Sequence, residues 1–69
     1  MSPDKLAYMA NQIGKFFAHQ PEEKAVASIT DHLEKFWDPR MRRTILTQYA
    51  IVKDQLDPLV QRAVERLHE

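Results

Sequence analysis

The stretch FWDPRMRR, residues 36–43, sets a paired aromatic against Asp38-Pro39 and then places three arginines within four positions. Proline suits the first turn of a helix, and an aspartate before it can cap the free amides. This octet therefore reads as the end of one helix and the start of the next. Asp57-Pro58 and Ser2-Pro3 repeat the signal, and Gln20-Pro21 supplies a fourth proline start. With a single glycine and strong helix formers throughout, the chain reads as all-α. The starts predict helices near 3–19, 21–36, 39–54 and 58–68, joined by turns of a few residues. Such short connections favour antiparallel neighbours. The expected architecture is one domain over residues 1–69, a small four-helix or three-plus-one antiparallel bundle.

The apolar spacing assigns each helix an inward face. Helix 1 offers Leu6, Met9, Ile13, Phe16 and Phe17; helix 2 offers Val26, Ile29, Leu33, Phe36 and Trp37 at a constant offset of twenty. The polar residues between do not match, so this reads as ordinary core-face spacing rather than duplication. The two aromatic pairs are expected to form one aromatic corner of the core. Helix 3 turns Met41, Ile45, Tyr49 and Val52 inward, continued by Leu56, and helix 4 does so with Leu59, Val60, Ala63, Val64 and Leu67. Tyr8 and Ile51 fall away from these stripes. Gly14 costs about 1 kcal/mol relative to alanine inside a helix, and Ala7, Ala10 and Ala18 share its flank. A flank so thin predicts a close helix approach, inside the bundle or from another chain, with the internal contact favoured.

Composition excludes several functions. There is no cysteine, hence no disulfide, thiolate zinc site or cysteine-ligated iron–sulfur cluster. No apolar run nears the roughly 20 residues of a membrane span and no secretory signal opens the chain, so a cytoplasmic protein without a membrane role is expected. Ten basic and ten acidic side chains balance, leaving no whole-molecule field for nucleic acid. His19, His32 and His68 form no compact ligand motif. Glu22-Glu23 suit the positive end of a helix dipole. The reading is of no catalytic residue, no metal site and no bound cofactor. A chain of 69 residues also has a small core, which a partner surface would reinforce.

Arg40, Arg42 and Arg43 lie in the first turns of helix 3, where the dipole disfavours positive charge. Two readings stand. They form a solvated basic edge, paired with Asp38, Glu34 or Asp31, or they are a docking site for carboxylate or phosphate groups with Trp37 as its apolar anchor. Three arginines in a neutral chain supply too few phosphate contacts for nucleic-acid binding.

YMANQIGKFF (8–17), EKAVASITDHLEKFWDPRMR (23–42) and LDPLVQRAV (56–64) together resemble the delta subunit of bacterial NAD-dependent, molybdenum-containing formate dehydrogenases. The resemblance spans most of the chain, and MANQI and FWDPRMR are its specific parts. It implies a small accessory protein without a redox centre, associated with an enzyme that carries a bis-molybdopterin guanine dinucleotide cofactor, iron–sulfur clusters and FMN. Formate oxidation and NAD reduction would occur on other subunits, and this chain would assist assembly, stability or cofactor maturation of the large molybdenum-containing subunit. The matching segments nominate Asn11, Gln12, Trp37, Asp38, Arg40 and Arg42 as partner-binding residues, to which the charge pattern adds Arg43. YAIVKDQ stands where relatives have a glycine-rich connection, so helix 3 is expected to run longer here. The alternatives are a maturation factor binding a nucleotide or pyranopterin phosphate through Arg40, Arg42 and Arg43, and a free-standing self-associating bundle.

Overall fold

The computed structural model describes residues 2–68, and these are all helix and connection. Helix α1 spans Pro3–Phe17, α2 Glu22–Phe36, α3 Pro39–Thr47, α4 Tyr49–Val52 and α5 Pro58–Arg66, with a 3-10 turn over Lys53–Gln55 ahead of α5. The proline starts hold. The Ser2 hydroxyl accepts from the Lys5 amide at 3.2 Å, and Asp38 Oδ1 accepts from the Met41 amide at 2.9 Å. Asp57 precedes Pro58 but makes no capping bond with its side chain; its carboxylate meets Lys15 Nζ at 3.3 Å instead.

Helix 3 departs from the expected span. It stops at Thr47, and Gln48 leaves helical geometry at φ −100°, ψ 9° before a single turn resumes over Tyr49–Val52. Its threonines bond back onto the backbone near this point. Thr44 Oγ1 donates to the Arg40 carbonyl at 2.9 Å and Thr47 Oγ1 to the Thr44 carbonyl at 3.2 Å, a back-bonding that competes with the backbone ladder and bends helices. The break lets Ile45, Val52 and Leu56 all reach the core.

The core sits between α1, α2 and α5, with α3 and α4 closing one side; α2 packs chiefly on α5 and α1. Leu6, Val26, Ile29, Leu33, Ile45, Val52, Val60 and Val64 are fully buried. In α1 the buried residues are Leu6, Ala7, Ala10 and Gly14, whereas Met9, Ile13 and Phe17 are only partly covered. At 100° per residue the buried face is turned about 80° from the centre of the expected bulky stripe. The thin flank is the inner one. A Cβ on Gly14 would lie 2.5 Å from Val60 Cγ2, so α1 and α5 approach within a distance that only glycine permits. This close approach is internal.

Polar contacts fasten the elements from outside. Thr30 Oγ1 donates to the Val26 carbonyl at 2.8 Å and reaches across to the Ala63 carbonyl at 3.3 Å, tying α2 to α5. Arg62 pairs with both Glu22 and Glu23, and Arg66 Nη2 meets Glu23 Oε2 at 2.9 Å. These guanidinium groups hold the Glu23 carboxyl below the usual carboxylate range. No described helix is long and apolar enough to cross a membrane.

Candidate docking surface

The corner at residues 36–43 divides into an inward and an outward part. Trp37 is 5% exposed, and its amide caps the end of α2 by donating to the Leu33 carbonyl at 3.1 Å. The Trp37 carbonyl in turn accepts from Arg42 Nη1, which also reaches the Glu34 carbonyl at 3.2 Å. Arg42 thus starts α3 in sequence but delivers its charge to the C-terminal end of α2. A cation is favourable there, which removes the conflict that the sequence posed for this arginine. Asp38 is committed to capping α3, and Asp31 pairs with Lys35 at 3.2 Å. Arg40 and Arg43 remain on the exposed side of the corner, Arg40 beside a cleft of about 310 Å³ that Leu6, Met41 and Thr44 also line.

Asn11 faces inward as well. Its Nδ2 donates to the Gln55 carbonyl at 2.8 Å and its Oδ1 accepts from the Asp57 amide at 2.9 Å, so one side chain brackets Leu56 and holds the connection before α5 against α1. Gln55 Nε2 adds a bond to Asp4 Oδ1 at 2.8 Å, and Gln61 Nε2 bonds the Lys53 carbonyl at 2.9 Å. Of the seven nominated residues, Asn11, Trp37, Asp38 and Arg42 make the contacts just described, and Gln12, Asp38, Arg40 and Arg43 are exposed.

The expected aromatic corner of the core does not form: Trp37 joins the core and Phe17 packs against it, while the other two phenylalanines stay outside. Phe16 and Phe36 are both 72% exposed. Phe16 and Phe17 meet edge to face with centroids 5.1 Å apart, Phe17 lies 6.2 Å from His32, and His32 lies 4.7 Å from Phe36. The four rings form a row along the seam of α1 and α2. Gln12 and Ile13 join Phe16, Phe17 and His32 around a shallow groove of about 310 Å³. Tyr8, 65% exposed, lies about 80° round α1 from Phe16, outside this row. Ile51 is 72% exposed on α4, away from the core as its spacing predicts. Sequence reasoning missed the row because it assigned every bulky apolar residue of the stripe to the interior; the signal that could have found it was the small-residue flank beside it.

No group of three or more His, Asp or Glu side chains among the described residues is placed to hold a metal ion. Tyr49 is the one described tyrosine with a strongly displaced pKa, pushed up to about 12 by burial and by its hydrogen bond to Glu65 Oε2 at 2.6 Å. Its hydroxyl also reaches the Gln61 carbonyl at 3.3 Å, which makes it a fastener between α4 and α5.

Neither curated proteins nor solved structures yield a match to this chain. A family description does match, over residues 5–64, and it takes in the MANQI segment, the FWDPRMR corner and the start of α5. The chain belongs to the family of FdsD, the NADH-dependent formate dehydrogenase delta subunit.

Proposed function

We propose that this protein is a non-catalytic, cytoplasmic accessory subunit of an NAD-dependent formate dehydrogenase complex. It acts by binding the large molybdenum-containing subunit, assisting its assembly, stability or cofactor maturation. The observation that carries this reading is the aromatic row on the α1–α2 seam, a contiguous apolar surface on a chain whose family is that of a complex's delta subunit. Exposed patches of this kind mark interaction sites. Gln12, Arg40 and Arg43 would make polar contacts at the rim, and Asn11, Trp37, Asp38 and Arg42 would hold the surface in shape.

Binding of a nucleotide or pyranopterin phosphate by the arginine trio is less well supported, because Arg42 spends its guanidinium on the carbonyls of Glu34 and Trp37. The test of the accessory role is omission. Expressing the other dehydrogenase subunits with and without this chain should show lower molybdenum content and lower yield of assembled enzyme in its absence. Equal values for both quantities would overturn the reading.

A further inference from the structure

The chain between Thr47 and Pro58 is held differently from the rest of the fold. Gln48 leaves helical geometry, α4 is a single turn, and the 3-10 turn over Lys53–Gln55 follows it directly. Backbone bonds within this segment are local. The Ile51 and Val52 amides both donate to the Gln48 carbonyl, at 3.0 and 3.1 Å, and the Leu56 amide donates to the Lys53 carbonyl at 3.0 Å. Both ends suit hinges. Gln48 interrupts the helical ladder at one end, and at the other Pro58 has no amide to donate back into the segment.

Side chains tie the segment down from outside. Asn11 of α1 holds the Gln55 carbonyl and the Asp57 amide, Gln61 of α5 donates to the Lys53 and Leu56 carbonyls at 2.9 and 3.2 Å, and Gln55 reaches back to Asp4. Tyr49 and Asp57 add ties to Glu65 and Lys15. All of these side chains are exposed or half-buried, so water can replace each partner, and a hydrogen bond exchanged in this way contributes little net. The segment's buried side chains are Val52 and Leu56, and α4 and the 3-10 turn pack chiefly on α1. Helix α2, in contrast, buries Ala25, Val26, Ile29 and Leu33 and packs on both α1 and α5. Few buried apolar contacts and solvent-accessible fastenings characterise the parts of a protein that open short of global unfolding.

We propose that residues 48–57 form a strap that opens as a unit about Gln48 and Asp57-Pro58 while α1, α2 and α5 stay packed. Opening releases the side-chain amides of Asn11 and Gln61 and withdraws Val52 and Leu56 from the core. The open and closed forms differ in two apolar side chains and a set of freed amides, so a molecule that binds one form better than the other shifts the balance between them. The strap is a property of the fold alone and does not depend on the accessory-subunit role.

Native-state amide hydrogen exchange of the full chain, followed by NMR at increasing low urea, tests this. The Val52 and Leu56 amides, both bonded inside the strap, are expected to be at least tenfold less protected than the Ile29 and Leu33 amides of α2. Their exchange should also depend less steeply on urea, because opening exposes less surface than unfolding. Ile29→Val separates the two processes. Ile29 is fully buried and faces Gly14 where α1 meets α5, so its truncation should speed exchange at Leu33 about two- to tenfold. Val52 and Leu56 exchange without unpacking α2 and should keep their rates in that variant. Asn11→Ala removes two ties and should speed exchange at Val52 and Leu56 at least fivefold. Equal protection and equal urea dependence for strap and α2, acceleration of both by Ile29→Val, or unchanged exchange at Val52 and Leu56 in Asn11→Ala would each overturn the strap.

Discussion

Replacing Gly14 by alanine sets two opposed effects against each other at one position. Alanine is favoured over glycine inside a helix by about 1 kcal/mol. Against this, the new Cβ would sit 2.5 Å from Val60 Cγ2. Val60 is fully buried and β-branched, so its side chain has little freedom to turn away. Overpacking of this kind costs about 1–3 kcal/mol, and at its midpoint it outweighs the propensity gain by about 1 kcal/mol. For a domain of 60–100 residues that is a fall in Tm of roughly 4–8 °C, read by far-UV circular dichroism of the full chain. The sharper result comes from the cycle with Val60→Ala, which removes the offending methyl. In that background Gly14→Ala should become stabilising, because the helix gain remains and the added methyl fills part of the space. A Gly14→Ala chain that melts higher than the unsubstituted protein, or a substitution whose effect has the same sign in both backgrounds, would refute the close-approach argument.

Three further outcomes follow from the fastening contacts. Trp37→Ala should cost about 3–5 kcal/mol, which rivals the roughly 3–10 kcal/mol available to a chain of this length; its far-UV helical signal should collapse, and loss of complex in that variant would report unfolding rather than docking. Asn11→Ala removes both bonds that bracket Leu56 and should cost about 1–2 kcal/mol at about 1 kcal/mol per bond, with urea unfolding unchanged to within about 0.5 kcal/mol counting against it. Tyr49, with its folded pKa raised to about 12, contributes stability that is complete below the ordinary tyrosine value near 10 and is lost as pH climbs from there through 12. Over that window the unsubstituted chain should lose stability relative to Tyr49→Phe, and parallel pH profiles for the two would sink the assignment.

The helix starts were legible in sequence because proline and the residue before it act locally, and neither needs a partner to be placed. Trp37 was legible as the last inward residue of helix 2, and its burial in the core leaves no exposed ring there for the docking anchor that the same sequence also suggested. Arg42 shows why the rest was harder to see. Its position in α3 marks it as electrostatically unfavourable, yet its guanidinium crosses the corner to the carbonyls that end α2. A dipole argument confined to one helix assigns the charge to the wrong terminus. Asn11 hid in the same way: its partners are the backbone groups of residues 55 and 57, separated by more than forty positions and fixed only once α5 packs on α1. Helix 3 was drawn too long because its apolar stripe does continue to Leu56, and the break at Gln48 leaves no mark on that stripe.

The rotation of α1 connects these packing details to the proposed interface. Its apolar arc is wide, with alanines and Gly14 on one flank and Met9, Ile13 and Phe16 on the other. Only one flank can meet α5. Choosing the small flank brings the backbones together at Gly14 and Val60, and the large side chains then lie beyond the contact on the outer edge of the arc. A bulky-inward choice would bury the phenylalanines but hold α1 and α5 apart, and it would leave Val60 and Val64 without the close cover they have. Phe16 is therefore exposed as a direct consequence of the approach at Gly14. Phe36, twenty residues later at the equivalent point of α2, is exposed to the same extent for a different reason: it ends its helix just as Trp37 turns inward beneath the corner. Two unrelated packing outcomes place two phenylalanines at the ends of one aromatic row, and the row's position on the α1–α2 seam is set by the same contacts that stabilise the fold. A partner meeting this seam meets rings held on two helices, so little of the binding free energy is spent on ordering this side of the interface.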